Sequence, residues 1–107
     1  MSVYATNTFS TQPGRAQELI DTLTRILPET LEHGGCELIQ ILHDQDDPNR
    51  VLAITRWHTR DHYEHYLSWR EGTGDTAMLR TMLTEPMKVA YYYTSFTIEA
   101  EPSESRS

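Results

Sequence analysis

The chain has 107 residues, of which 37% are hydrophobic, and its nine basic and sixteen acidic side chains leave a net charge of −7. This describes a single domain with a modest core, and the negative balance argues against nucleic acid or an anionic membrane as a partner. One cysteine, Cys36, leaves no internal disulfide to form, and no stretch reaches the ~20 apolar residues of a membrane span, so a soluble, cytoplasmic protein is expected.

Val3 to Phe9 alternates Val3, Ala5, Asn7 and Phe9 with Tyr4, Thr6 and Thr8, the period of a strand. Thr11-Gln-Pro-Gly14 turns the chain into a long amphipathic helix carrying Ala16, Leu19, Ile20, Leu23, Ile26, Leu27 and Leu31. Pro28 lacks a backbone donor, which predicts a kink or break, and Gly34-Gly35 predicts the end. Cys36 to His43 reads as a strand with both faces apolar, and the turn Asp44 to Arg50 returns the chain as a third strand, Val51 to Trp57.

Thr59 can cap the next helix, Arg60 to about Glu71, whose spacing aligns Tyr63, Tyr66, Leu67 and Arg70 on one stripe and His62, His65 and Trp69 on its neighbour. Asp75 is expected to cap a short helix that buries Met78, Leu79, Met82 and Leu83 before Pro86 stops it. Lys88 to Ile98 reads as one long final strand, and the polar residues 99–107 as a disordered tail on a domain spanning residues 1–98.

The order βαββαβ, with right-handed crossovers, predicts an α+β, ferredoxin-like fold: an antiparallel four-stranded sheet with helices on one face. Because the strands are apolar or aromatic on both faces, two copies are expected to pack sheet to sheet as a homodimer, with at least one of Tyr91, Tyr92 and Tyr93 at the seam.

The order of elements and three local signatures resemble the antibiotic biosynthesis monooxygenase family of dimeric α+β barrels. The signatures are Asn7-Thr-Phe-Ser-Thr-Gln-Pro-Gly14, Gly35-Cys36 with Leu38, Ile41 and Asp44, and Trp57-His-Thr-Arg-Asp-His-Tyr63. The resemblance implies oxidation of phenolic polycyclic aromatics or quinols by molecular oxygen without metal, flavin or any other cofactor, as in polyketide and other secondary metabolism. It places Trp57 and Tyr63 at the substrate. Ala53 stands where such enzymes carry an Asn, which departs from the anthrone-oxygenase pattern. Relatives that degrade heme use an Asn at the place of Asn7, a Trp where Tyr66 stands, and a His about ten residues further on. Residues 71–80 hold no His, so heme chemistry is disfavoured.

The candidate catalytic residues are therefore Asn7, Trp57, Tyr63 and His65, with Phe9, His62, Tyr66, Met78 and Met82 as candidate substrate contacts. A neutral imidazole at His65 or His62 could take a phenolic proton, while His58, His62 and His65 lack the fourth ligand of a metal site. The alternative is a non-oxidative polyketide cyclase or an aromatic-ligand-binding protein on the same scaffold.

Overall fold

The structure, a computed structural model, describes residues 1–102. Part of the tail expected from Glu99, residues 103–107, lies outside the described residues. Eight elements follow in chain order: β1 (Val3–Ser10), α1 (Ala16–Ile26), α2 (Pro28–His33), β2 (Cys36–His43), β3 (Arg50–Trp57), α3 (Arg60–Gly72), α4 (Asp75–Arg80) and β4 (Lys88–Tyr93). The strands form one antiparallel sheet in the order β2-β3-β1-β4. This is the ferredoxin-like arrangement, an α+β fold with β1 and β3 central.

Register decides which side chains meet. Asn7 pairs with Ala53 on one side and Val89 on the other, and Ala5 pairs with Thr55 and Tyr91. These residues lie on the face that the helices cover. The other face carries Tyr4, Arg56 and Tyr92, then Thr6, Ile54 and Ala90, then Thr8, Leu52 and Leu42. Tyr91 and Tyr92 thus fall on opposite faces.

Pro28 divides the expected long helix in two. Leu27 closes α1 with a backbone bond to the Leu23 carbonyl at 2.9 Å and precedes α2, where Pro28 takes the first position and loses no internal hydrogen bond. Thr59 caps α3 by accepting from the His62 N–H at 3.2 Å. Asp75 differs from expectation. Gly74, at φ 88°, holds the position before α4, so Asp75 is its first helical residue and its carboxylate turns back to Arg70 at 2.7 Å. The last strand is also shorter than the pattern to Ile98 predicts. β1 begins at Val3, which pairs with Tyr93, and among the described residues none beyond Tyr93 joins the sheet.

Two apolar clusters form beneath the helices. Phe9, Leu19, Leu23, Val51 and Leu83 belong to one, and Val3, Ala5, Trp57, Tyr63 and Tyr66 to the other. Gly35 joins α2 to β2 at φ 87°, and a Cβ there would lie 2.5 Å from the His62 ring. Both the backbone and the neighbour therefore require glycine. Gly35→Ala should lower Tm by at least about 10 °C. Gly14→Ala serves as the comparison, since Gly14 has a similar φ of 79° but open space around its missing Cβ. Thermal denaturation of both variants checks this, with the larger loss expected at Gly35.

Candidate active site

The two apolar clusters do not close on each other, and a cavity of about 460 Å³ remains between them. This is within the roughly 300–1,000 Å³ range of small-molecule sites. The sheet supplies Asn7, Phe9, Ala53, Thr55, Trp57 and Tyr91, and α3 supplies Tyr63, Tyr66 and Arg70. Leu23, Ile26, Leu27, Leu79, Leu83 and Met87 complete an apolar wall, while Glu64, Glu71 and Arg80 bring charge to the lining. Ala53 leaves the space beside Asn7 open because its side chain is a single methyl.

Three polar arrangements face this space. In the first, the Asn7 amide Nδ2 donates to the Tyr63 hydroxyl at 2.6 Å. Burial pushes the Tyr63 phenol far above its ordinary range, and the Asn7 hydrogen bond opposes that shift only in part. Tyr63 is therefore a neutral hydroxyl, able to donate.

In the second, the Trp57 indole N–H donates to Thr55 Oγ1 at 2.8 Å, and Thr55 donates onward to the Ala5 carbonyl at 2.8 Å. Trp57 presents its ring to the cavity while its N–H is committed to the sheet. It packs against Tyr63 and Tyr66 at centroid distances of 5.3 and 5.1 Å.

The third arrangement centres on Arg70, which is 3% exposed. Its Nε donates to the Tyr66 hydroxyl at 3.1 Å, Nη1 to Glu29 at 3.0 Å and Asp75 at 2.7 Å, and Nη2 to Thr30 Oγ1 at 3.1 Å and the Ile26 carbonyl at 3.3 Å. Thr30 in turn donates to Tyr66 at 2.9 Å. Burial disfavours the charged guanidinium, but the bonds to Tyr66, Asp75 and Glu29 outweigh that effect and its pKa lies above the ordinary value. Spacing alone places Arg70 beside Tyr66. Its partners Glu29, Thr30 and Ile26 are 40 to 44 residues away, and no local pattern announces them.

Of the residues expected at the site, Asn7, Phe9, Trp57, Tyr63 and Tyr66 line the cavity together. The other four lie elsewhere. The His62 side chain covers Gly35 and contacts Thr59 Oγ1 through Nδ1 at 2.7 Å. His65 is exposed and lies 6.1 Å from the ring of His33. The helical stripe that carries them points away from the sheet, because Tyr63, Tyr66 and Arg70 occupy the buried side of α3. Met82 is buried within the first cluster and Met78 packs against it, with neither lining the cavity. Cys36 is half-buried, and burial pushes its thiol pKa upward, away from nucleophilic use.

The sequence profile of the antibiotic biosynthesis monooxygenase family matches residues 2–71, about two thirds of the chain. The chain belongs to this family. Solved structures share its fold. SnoaB from Streptomyces nogalater, a cofactor-independent oxygenase, superposes with a TM-score of 0.79 at 18% identity, covering 92% of this chain and 98% of that one. A Bordetella bronchiseptica protein named for the same family superposes at 0.80 with 16% identity, covering 89% and 98%. A conserved protein of Methanosarcina mazei Go1 gives 0.76 at 14% identity, covering 86% and 91%. No curated protein matches the chain. Among the described residues, no helix is long and apolar enough to cross a membrane.

Tyr63 gives this site a pH signature. Its folded pKa lies above the unfolded value of about 10, so its contribution to stability is complete below that pH and is lost as pH rises beyond it. In an alkaline titration followed by phenolate absorbance, Tyr63→Phe should remove one phenolate from the late phase that accompanies unfolding. The early phase should be unchanged; a smaller early phase would contradict a buried neutral phenol.

Proposed function

We propose that the protein is a cofactor-independent oxygenase of phenolic polycyclic aromatic or quinol substrates, acting as a homodimer. The observation that carries this reading is the convergence of Asn7, Tyr63, Tyr66 and the Trp57 ring on one half-open, largely apolar cavity. Family membership and the fold shared with an oxygenase support it. Flat aromatic walls suit fused rings, and hydroxyl donors suit an oxygen that gains negative charge as the substrate gives up a proton.

For an anthrone, the reaction is oxidation of the ring CH₂ to a carbonyl. The substrate loses its two C–H protons and four electrons, dioxygen accepts the electrons, one oxygen atom becomes the new carbonyl and the other leaves as water. Tyr63, held neutral and oriented by Asn7, would hydrogen-bond the enolate oxygen while Trp57 packs against the rings. His65 and His62 lie outside the cavity and take no part. Glu64 and Glu71 are the carboxylates in the lining, suited to carry a proton outward.

The homodimer reading rests on the uncovered sheet face, where Leu52, Ile54, Leu42 and Tyr92 stand without helices over them. Sedimentation should give twice the chain mass, and Ile54→Asp should shift it to the monomer by burying a charge in the seam.

Oxygen uptake and quinone formation with purified, metal-free protein and a panel of anthrones and naphthoquinols test the activity. Rates above the uncatalysed reaction are expected, falling about a hundredfold in Tyr63→Phe. Rates equal to the uncatalysed reaction across the panel would overturn the reading, and ligand binding without oxygen uptake would favour a cyclase or binding protein.

A further inference from the structure

Arg70 reaches the cavity, yet its guanidinium has nothing left to give a ligand. A guanidinium has five N–H groups. Here one goes to Tyr66, two to Glu29 and Asp75, and two to Thr30 and the Ile26 carbonyl. Direct capture of a carboxylate or phosphate by Arg70 would require breaking this set.

The same bonds fix the direction of the neighbouring hydroxyls. Arginine only donates, so Thr30 Oγ1 accepts from it, and the Thr30 hydroxyl in turn donates to the Tyr66 oxygen, the partner that keeps its buried proton bonded. The Tyr66 oxygen therefore accepts twice, from Arg70 Nε and from Thr30, which fills both of its lone pairs. Its own proton has no acceptor among the described residues. The open side is the cavity that Tyr66, Thr30 and Arg70 line together.

We infer that the Tyr66 hydroxyl is a dedicated donor into the cavity, held in that direction by Arg70 and Thr30, and that it selects ligands bearing a deprotonated aromatic oxygen. This rests on the oxygenase reading only for the kind of substrate. Tyr66 specifies the ionisation state, and Arg70 is a positioning residue that acts through it. A hydroxyl that already accepts two hydrogen bonds, one from a cation, is a stronger donor to a third group. It can stabilise an aryloxide but offers no lone pair to a phenol O–H.

The probe is 2-hydroxyanthraquinone, whose anion and neutral form differ in colour. Titrating it with protein across a pH series should show the anion bound, with its ionisation midpoint at least about one pH unit below that of the free dye. Tyr66→Phe, which keeps the ring and its packing, should weaken binding roughly ten- to a hundredfold and return the midpoint towards the free value. Arg70→Lys and Thr30→Val should return the midpoint part of the way, a change that loosened packing alone would not give. Thermal melts establish that each variant is folded.

A dye bound as the neutral phenol, an unchanged midpoint in Tyr66→Phe, or no binding to the unaltered protein would overturn the inference. Binding and ionisation of the dye without oxidation of any anthrone would leave it standing and overturn the oxygenase reading. Oxidation that persists unchanged in Tyr66→Phe would do the reverse.

Discussion

Four helices meet at the Arg70 side chain, which bonds the last carbonyl of α1, Glu29 and Thr30 of α2, Tyr66 of its own helix and Asp75 of α4. Taking a cation out of water is costly, and the fold meets that cost by giving every N–H a partner. Separating any of the four helices would strand part of this set. The short α2 and α4, with six residues each, are too brief to be stable alone, so their placement depends on such ties and on packing.

The cavity borders the same set of bonds. The cavity lies between the cluster around Trp57 and the cluster around Leu19 and Leu23, with Arg70 in its lining. Sheet register then sets its floor. Asn7 faces it from the centre of β1, and Ala53 beside it is too small to fill the space. Three polar groups at the wall are committed in a defined direction: Trp57 to Thr55, Asn7 to Tyr63, Arg70 to Tyr66. What these arrangements leave for a ligand is the Tyr63 and Tyr66 hydroxyl protons, beside the charged Glu64, Glu71 and Arg80 of the lining.

Much of this was legible locally. The alternation in β1, the Thr59 cap, the Pro28 break and the Gly35 terminus are each written within a few residues, because strand period, capping and backbone freedom are short-range effects. Asn7, Trp57, Tyr63 and Tyr66 were recognisable as one group from the family's signature and the helical stripe. The histidines do not join them in the cavity lining, for a physical reason. A helix has two polar-looking stripes here, and only packing against the sheet decides which turns inward; Tyr63, Tyr66 and Arg70 went in, and His62 and His65 were left to cover Gly35 and to lie beside His33.

The amino-acid sequence by itself determined the elements, their order and so the ferredoxin-like sheet, together with the family and the aromatic stripe that lines the cavity. Tertiary structure alone decided that the last strand stops at Tyr93, where β1 has no further residue to pair, and that Asp75 serves Arg70 instead of capping its helix. It also decided the direction of the hydrogen bonds around Tyr66. That direction depends on donors more than 30 residues apart in the chain, and only folding brings their atoms within bonding distance.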